Sequence, residues 1–315
     1  MKDYLSHFSA IAFWNIPYIE SVLGSEINGT DSVDFTISKR SARSQKEGRR
    51  IHLCQVSLPT GAVISKNGKR VASPELVFLE LACKLDIHRL ILLGLQLRAY
   101  PPGNSSKAIT TKQKLKTFLT KTPGCRGHRK ALRAVKYIED GSASVMESIS
   151  YMILTLPHAL GGYGFDGAVF NYKIKLNNEA GKRLRQKYCF ADLYYKSPNP
   201  AIEYESFAFH NGPAQQGKDA IRSAILDRHG IEVMHLSTIQ LYDKNACMDF
   251  ACNLASRLGK RMQIRAKKFD EMNTILRALL PEKKPDTDPD SEKPKQKCAM
   301  YEEGHLSHMR LPFEG

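Results

Sequence analysis

The stretch CFADLYYKSPNPAIEYESFAFH, residues 189–210, constrains the fold more than any other part of the chain. Two runs rich in aromatic and β-branched residues flank a short segment that contains two prolines. Proline has no backbone donor for a ladder, so the middle predicts a turn and the flanks predict the two strands of a hairpin. Asp192 lies before the turn, and Glu203 and Glu205 lie after it. Residues two apart on a strand share a face, with Cα atoms roughly 6 to 7 Å apart. Glu203 and Glu205 therefore point the same way and repel. Either that face is wet, or a cation or a bound proton balances the charge.

From residue 126 onward the pattern is regular. HRKALRAVKYI reads as an amphipathic helix with a basic face, and ASVMESISYMIL as a second, more apolar helix. GGYG breaks the chain, AVFNYKIKL reads as a strand, and NNEAGKRLRQK as a polar basic loop leading into the hairpin. GKDAIRSAILDRHG is then a helix closed by glycine, IEVMHLS a strand, and TIQLYDKNACMDFACNLASRLGKRM one long amphipathic helix. The predicted order is α, α, β, β, β, α, β, α. A short basic helix, FDEMNTILRALL, follows, and the charge and proline content of PEKKPDTDPDSEKPKQK predicts disorder.

The first 125 residues are mixed in character. A short helix opens the chain, with Trp14 and Tyr18 as its core anchors, and SKRSARSQKEGRR reads as a basic linker. IHLCQVSLP and GAVISKNGKRVA are strand-like, and Asn67-Gly68 marks a tight turn. SPELVFLELACKLDIHRLILLGLQLRAY begins a helix or helical pair, with Ser73 as N-cap, Pro74 at the first helical position and Glu75 in the first turn. PPGNSSKAITTKQKLKTFLTKTPGCRG is a basic connector, and its end is the expected domain boundary. The expected organisation is a small mixed α/β module over 1–125, an α/β domain over 126–265, and a basic helix with a tail over 266–315.

Charge narrows the partners. With 47 Lys and Arg against 32 Asp and Glu, the net charge is +15, which points to a polyanion. DNA is the first expectation and RNA the alternative. No apolar run approaches the roughly 20 residues that a membrane span needs, and the opening residues lack the basic segment and apolar core of an export signal. A cytoplasmic protein without a membrane partner is expected. The 7 Cys form no CxxC pair and no cluster with histidine at zinc spacing, which reads as reduced thiols. Cys83, Cys247 and Cys252, in apolar helical text, read as small buried hydrophobes.

The segments GSASVMESISYMILTLPHALGGYGF, YCFADLYYKSPNPAIEYESFAFHNGP and KDAIRSAILDRHGIEVMHLSTIQL together resemble the DUF559 and very-short-patch-repair-like branch of the PD-(D/E)xK nuclease superfamily. The resemblance covers roughly residues 126–259. The upstream HLCQVSLPTGAVISKNGKRVASPELVFLELA more weakly resembles AbiEi-like antitoxin regulators. The first resemblance implies a restriction-endonuclease-like mixed sheet flanked by helices and a Mg²⁺- or Mn²⁺-dependent endonuclease acting on DNA. It implies that Glu147 is the helix acid, Asp192 the strand Asp, Glu203 the first position of the E-x-K pair and Glu205 the last. Asp192, Glu203 and Glu147 would then be metal ligands, and Glu205 a ligand or a water-orienting group. Many members carry lysine where this chain has Glu205, so the missing cation must come from Lys218, Arg222 or His210. Basic residues including Arg126, Arg129, Lys130, Lys182, Arg183 and Arg185 would hold the nucleic-acid backbone.

Plainer readings of the same residues stand beside this one. Ser144 and Glu147 have the spacing of a capping box, in which the glutamate reaches back to its own helix N-terminus. Asp192, Glu203 and Glu205 also fit solvated strand positions, and Asp219 with Arg222 an ion pair along one helix. His210 equally reads as an exposed loop residue. The functional alternative is a nuclease-fold DNA-binding regulator without catalysis, of antitoxin or defence type.

Overall fold

The computed structural model describes residues 3–16, 32–40, 47–205, 213–228 and 230–282, with 213–216 and 218–220 as backbone only. Tyr18, His210, the centre of the basic linker and the predicted tail lie outside the described residues, as do the side chains of Lys218 and Asp219. The architecture is mixed α/β, with a five-stranded and a four-stranded mixed sheet, each flanked by helices.

The first sheet contains β1 (Tyr4–Leu5), β2 (Val33–Ile37), β3 (Arg49–Leu53), β4 (Val63–Lys66) and β5 (Lys69–Ala72), in the order β3-β2-β1-β5-β4. Asn67 and Gly68 turn the β4–β5 hairpin with φ of 52° and 69°, the left-handed pair that a two-residue turn requires. The central β1 is only two residues long, antiparallel to β2 and parallel to β5. Helix α1 (His7–Trp14) leaves this strand at once, and Trp14 Nε1 donates to the carbonyl of Ala72 at 2.9 Å.

The apolar segment after β5 is a helical pair, α2 (Pro74–Leu81) and α3 (Ile87–Gln96). Ser73 caps the first through Leu76 N, and Asp86 starts the second by accepting from His88 N and Arg89 N. The expected basic connector is in part a helix, α4 (Lys112–Thr120), because Thr111 caps it and Leu115 and Leu119 find buried places. Helix α5 (His128–Val135) follows and packs on α3 and α4.

Helix α6 (Val145–Thr155) is the pillar of the molecule. Ten of its eleven residues are buried, as expected for a helix with neighbours on all sides. The second sheet comprises β6 (Ala168–Lys175), β7 (Tyr188–Tyr195), β8 (Ala201–Glu205) and β9 (Val233–Ser237), ordered β6-β7-β8-β9. The first three run antiparallel, and β9 lies parallel to β8 after the crossover helix α8 (Pro213–Arg228).

Two local expectations need correction. The polar loop before β7 holds a short helix, α7 (Asn178–Leu184), started when Asn177 accepts from Ala180 N and closed by Arg185 in the left-handed region. The predicted long C-terminal helix is two, α9 (Thr238–Tyr242) and α10 (Lys244–Arg257). Asp243 separates them by adopting extended backbone and capping Ala246 N, an alternative to helix that a short acidic side chain offers. Helix α11 (Phe269–Arg277) ends the described chain.

One hydrophobic cluster runs from Tyr4 to Leu279 and takes in α2, α3, α5, α6 and the inner face of the second sheet. A smaller cluster lies on the other face of that sheet, where Ala180 of α7 and Ile225 and Leu226 of α8 cover Cys189, Ala191 and Ala201. Cys247 is fully buried as expected, Cys83 is half-buried, and Cys252 is exposed. No helix among the described residues is long and apolar enough to cross a membrane.

Candidate active site

The β7–β8 hairpin forms as its composition predicts, but its ladder is short. Pairing runs through Tyr194↔Ala201 and Leu193↔Ile202 and stops there. The next residues in that register are Asp192 and Glu203. On the other side of β7, pairing with β6 passes from Phe170↔Leu193 to Tyr172↔Ala191 and skips Asn171 and Asp192, which face each other. On β9, His235 is the register partner of Glu203. Asn171, Asp192, Glu203 and His235 thus occupy one row across all four strands.

The row lies where the sheet changes face. Residues two apart on a regular strand share a face. Yet Leu193 enters the main core while Ala191 enters the second cluster, and Phe170 and Tyr172 divide in the same way. Asn171 has φ 44°, a left-handed conformation that asparagine tolerates better than most residues, and it absorbs the reversal on β6. Where β7 leaves β8, side chains replace the missing ladder. The Asp192 carboxylate accepts from Tyr204 N at 3.0 Å. Arg222, reaching across from α8, donates to the Phe190 carbonyl at 2.5 Å and to Glu203 Oε1 at 2.8 Å.

The two glutamates of β8 share a face, and each has its own basic partner. Glu203 pairs with Arg222, both largely buried, with side-chain exposures of 15% and 30%. Glu205, more exposed, pairs with His235 Nδ1 at 2.7 Å. Of the cations expected to compensate for the missing lysine, Arg222 is the one the described residues place at Glu203. Below it, burial pushes the Cys189 thiol up, against the opposing pull of Arg222, and keeps it protonated.

Glu147 sits at the base of the site rather than in the row. It is 2% exposed. Its Oε2 accepts from Ala143 N and from Asn171 Nδ2, both at 2.9 Å, and its Oε1 accepts from Ser144 Oγ at 3.0 Å. Ser144 Oγ in turn accepts from Glu147 N at 3.1 Å, so the residue caps α6 and braces Asn171 in one arrangement. Asn171 Nδ2 also donates to the Gly141 carbonyl at 2.8 Å.

Among the described residues no group of three or more His, Cys, Asp or Glu side chains is placed to hold a metal ion. Asp192 and Glu203 are oxygen donors in one row, a set that fits a cation such as Mg²⁺, which needs one or two protein carboxylates plus water and substrate oxygens. Glu147, with both oxygens already accepting, fits a supporting place behind Asn171. The basic residues expected to hold the backbone divide in two. Arg126, Arg129 and Lys130 lie at α5, and Lys182, Arg183 and Arg185 lie at α7, where Arg183 pairs with Glu179.

Asn171 and His235 escaped sequence reasoning. Asn171 interrupts the apolar and aromatic first half of β6, and His235 alternates with Met234 and Leu236, a pattern that marks it as facing the hairpin acids once register is known. Compared with protein-family models, curated proteins and solved structures, the chain gives no match.

Proposed function

We propose that the chain is a metal-dependent DNA endonuclease that hydrolyses phosphodiester bonds at the parting of β7 and β8. The carrying observation is the row that sets Asp192 next to Glu203 where the ladder ends, with Arg222 reaching in from the crossover helix. The order of helix, three antiparallel strands, helix and parallel fourth strand supports the same reading. When bound, Mg²⁺ or Mn²⁺ supplies a Lewis acid for the phosphoryl oxygen and lowers the pKa of the attacking water. Asp192 and Glu203 would hold it, and the Tyr204 amide fixes the angle of the Asp192 carboxylate. Arg222 holds Glu203 and donates to the substrate phosphate. His235, oriented by Glu205, is the proton-carrying group beside Glu203 in register. Glu147 acts through Asn171, holding the turnover in β6 against which Asp192 sits.

A second reading, a nuclease-fold DNA-binding regulator without catalysis, is favoured by the Arg222–Glu203 pair. A buried carboxylate already matched by a guanidinium needs no second cation. One experiment separates the two. Mn²⁺ is titrated calorimetrically into the wild type, Asp192→Asn and Glu203→Gln, and plasmid nicking is followed on the same samples. Catalysis predicts metal heat and nicking in the wild type, and loss of both in each variant without loss of fold. Nicking retained in both variants refutes this site. DNA binding with neither heat nor nicking in the wild type establishes the regulator.

A further inference from the structure

A second surface, apart from the hairpin, has the chemistry of a nucleic-acid contact. Residues 107–136 contain ten Lys and Arg and no Asp or Glu, so two thirds of the net +15 comes from this one segment. The segment spans α4, α5 and the turn between them. Two of its cations are used internally: Lys112 pairs with Glu139, and Lys130 Nζ donates to the Leu85 carbonyl at 2.9 Å. The other eight are exposed, among them Lys114, Lys116, Lys121, Arg126, Arg129 and Arg133. None of the eight forms an ion pair with a described residue. Elsewhere the signs are mixed: Arg183–Glu179, Lys244–Asp270, Arg257–Glu232 and Lys260–Asp166 are paired, while exposed cations such as Lys182 and Arg185 are not paired with a described residue, and residues 107–136 differ in carrying ten cations with no acid among them. A surface serving only solubility would intersperse the two signs, because unrelieved like charge destabilises the compact state.

The support beneath these charges is rigid. Leu115 and Leu119 of α4 and Ala131 and Ala134 of α5 are fully buried. His128 Nε2 lies 2.8 Å from the Leu119 carbonyl and ties the start of α5 to α4. Gly127, at φ 81°, passes so close to Cys83 that an added Cβ would lie 2.9 Å from its sulfur. The turn is therefore pressed onto the end of α2. Single-stranded nucleic acid would call for exposed aromatic platforms. Phe118, the segment's one aromatic ring besides His128, packs against the main core, as does Tyr137 just beyond it.

We infer that the α4–α5 face binds the phosphate backbone of duplex DNA without reading its sequence. The preference for DNA over duplex RNA rests on the function proposed above; the surface itself does not depend on catalysis. The test is fluorescence-anisotropy binding of the full chain to a labelled DNA duplex in EDTA, across a salt series. The triple variant Lys116→Gln, Lys121→Gln, Arg129→Gln is compared with the wild type and with Lys260→Gln, whose lysine lies outside the segment and is paired with Asp166. Three lost phosphate contacts flatten the slope of log K against log salt by about 2 to 3 and weaken binding about tenfold or more near 0.1 M salt. Lys260→Gln leaves both unchanged. Wild-type affinity and slope in the triple variant overturn the inference. Duplex RNA or single-stranded DNA competing as well as duplex DNA at equal phosphate overturns the choice of partner. Because EDTA removes catalysis from the assay, binding lost as expected, together with no Mg²⁺-dependent nicking by the wild type, refutes the nuclease reading alone.

Discussion

Replacing Glu147 by alanine tests whether this acid supports the site or belongs to its chemistry. The substitution removes the acceptor for Ala143 N, Ser144 Oγ and Asn171 Nδ2 at a position only 2% exposed. Loss of the capping interaction costs about 1 kcal/mol, and leaving a buried donor without a partner costs about 1–3 kcal/mol. Asn171 keeps its bond to the Gly141 carbonyl, which softens the second figure. The expected destabilisation is about 3 kcal/mol in urea unfolding followed by circular dichroism. Glu147→Gln is the matched control. Its amide oxygen still serves Ala143 N and Asn171, and its NH₂ can donate to Ser144 Oγ, so the loss stays within about 1 kcal/mol. A Glu147→Ala protein less than about 1 kcal/mol below the wild type refutes the capping argument. If that stable protein had also lost nicking, the carboxylate would act at the phosphate rather than beneath the sheet.

Two further outcomes follow from the structure. In the first sheet, Tyr4 donates to Glu80 Oε1 at 2.9 Å and His7 N to Oε2 at 3.1 Å, yet burial dominates and pushes the Glu80 carboxyl up to about 7. Burial also pushes the adjoining His7 imidazole down to about 3. Between about 4.5 and 7 the folded chain holds a Glu80 proton that the unfolded chain has released, so this group lowers stability as pH rises; between about 3 and 6.5 His7 does the opposite. Glu80→Gln removes only the first contribution, so its stability relative to the wild type rises by about 1.4 kcal/mol per pH unit between roughly 4.5 and 7. Urea midpoints at pH 5 and 7 measure this, and parallel profiles overturn it. Gly161 has φ 77°, and an added Cβ would collide with the backbone of Met272 and Asn273 in α11. Gly161→Ala is expected to cost more than about 2 kcal/mol, and a thermal midpoint equal to the wild type's would show that α11 shifts freely.

The strand, turn and helix text around the hairpin was legible because each element carries its own local signal. Prolines punctuate 198–200, β-branched and aromatic residues fill the strands, and Ser73 and Ser144 announce helix starts through their caps. Helices α4 and α7 were hidden by their charge, since lysine-rich text with turn residues nearby reads as a connector. What makes α4 a helix is the burial of Leu115 and Leu119 by distant neighbours. The strands β1 and β2 left still less signal, because β1 is a two-residue bridge whose partners lie 30 and more positions away.

The candidate site divides in the same manner. Sequence alone determined that three acids would lie on a hairpin, that Glu203 and Glu205 would share a face, and that Ser144 and Glu147 would start a helix, since all of these follow from a period of two or from contacts within four residues. The tertiary structure decided the rest. It stopped the β7–β8 ladder at Leu193, set Asn171 and His235 in the row of Asp192 and Glu203, and turned Arg222 rather than solvent toward Glu203. Those outcomes depend on register between strands and on how α8 lies over the sheet. Both are fixed by which apolar side chains fill the two clusters together, a condition on the whole chain that no local stretch of it contains.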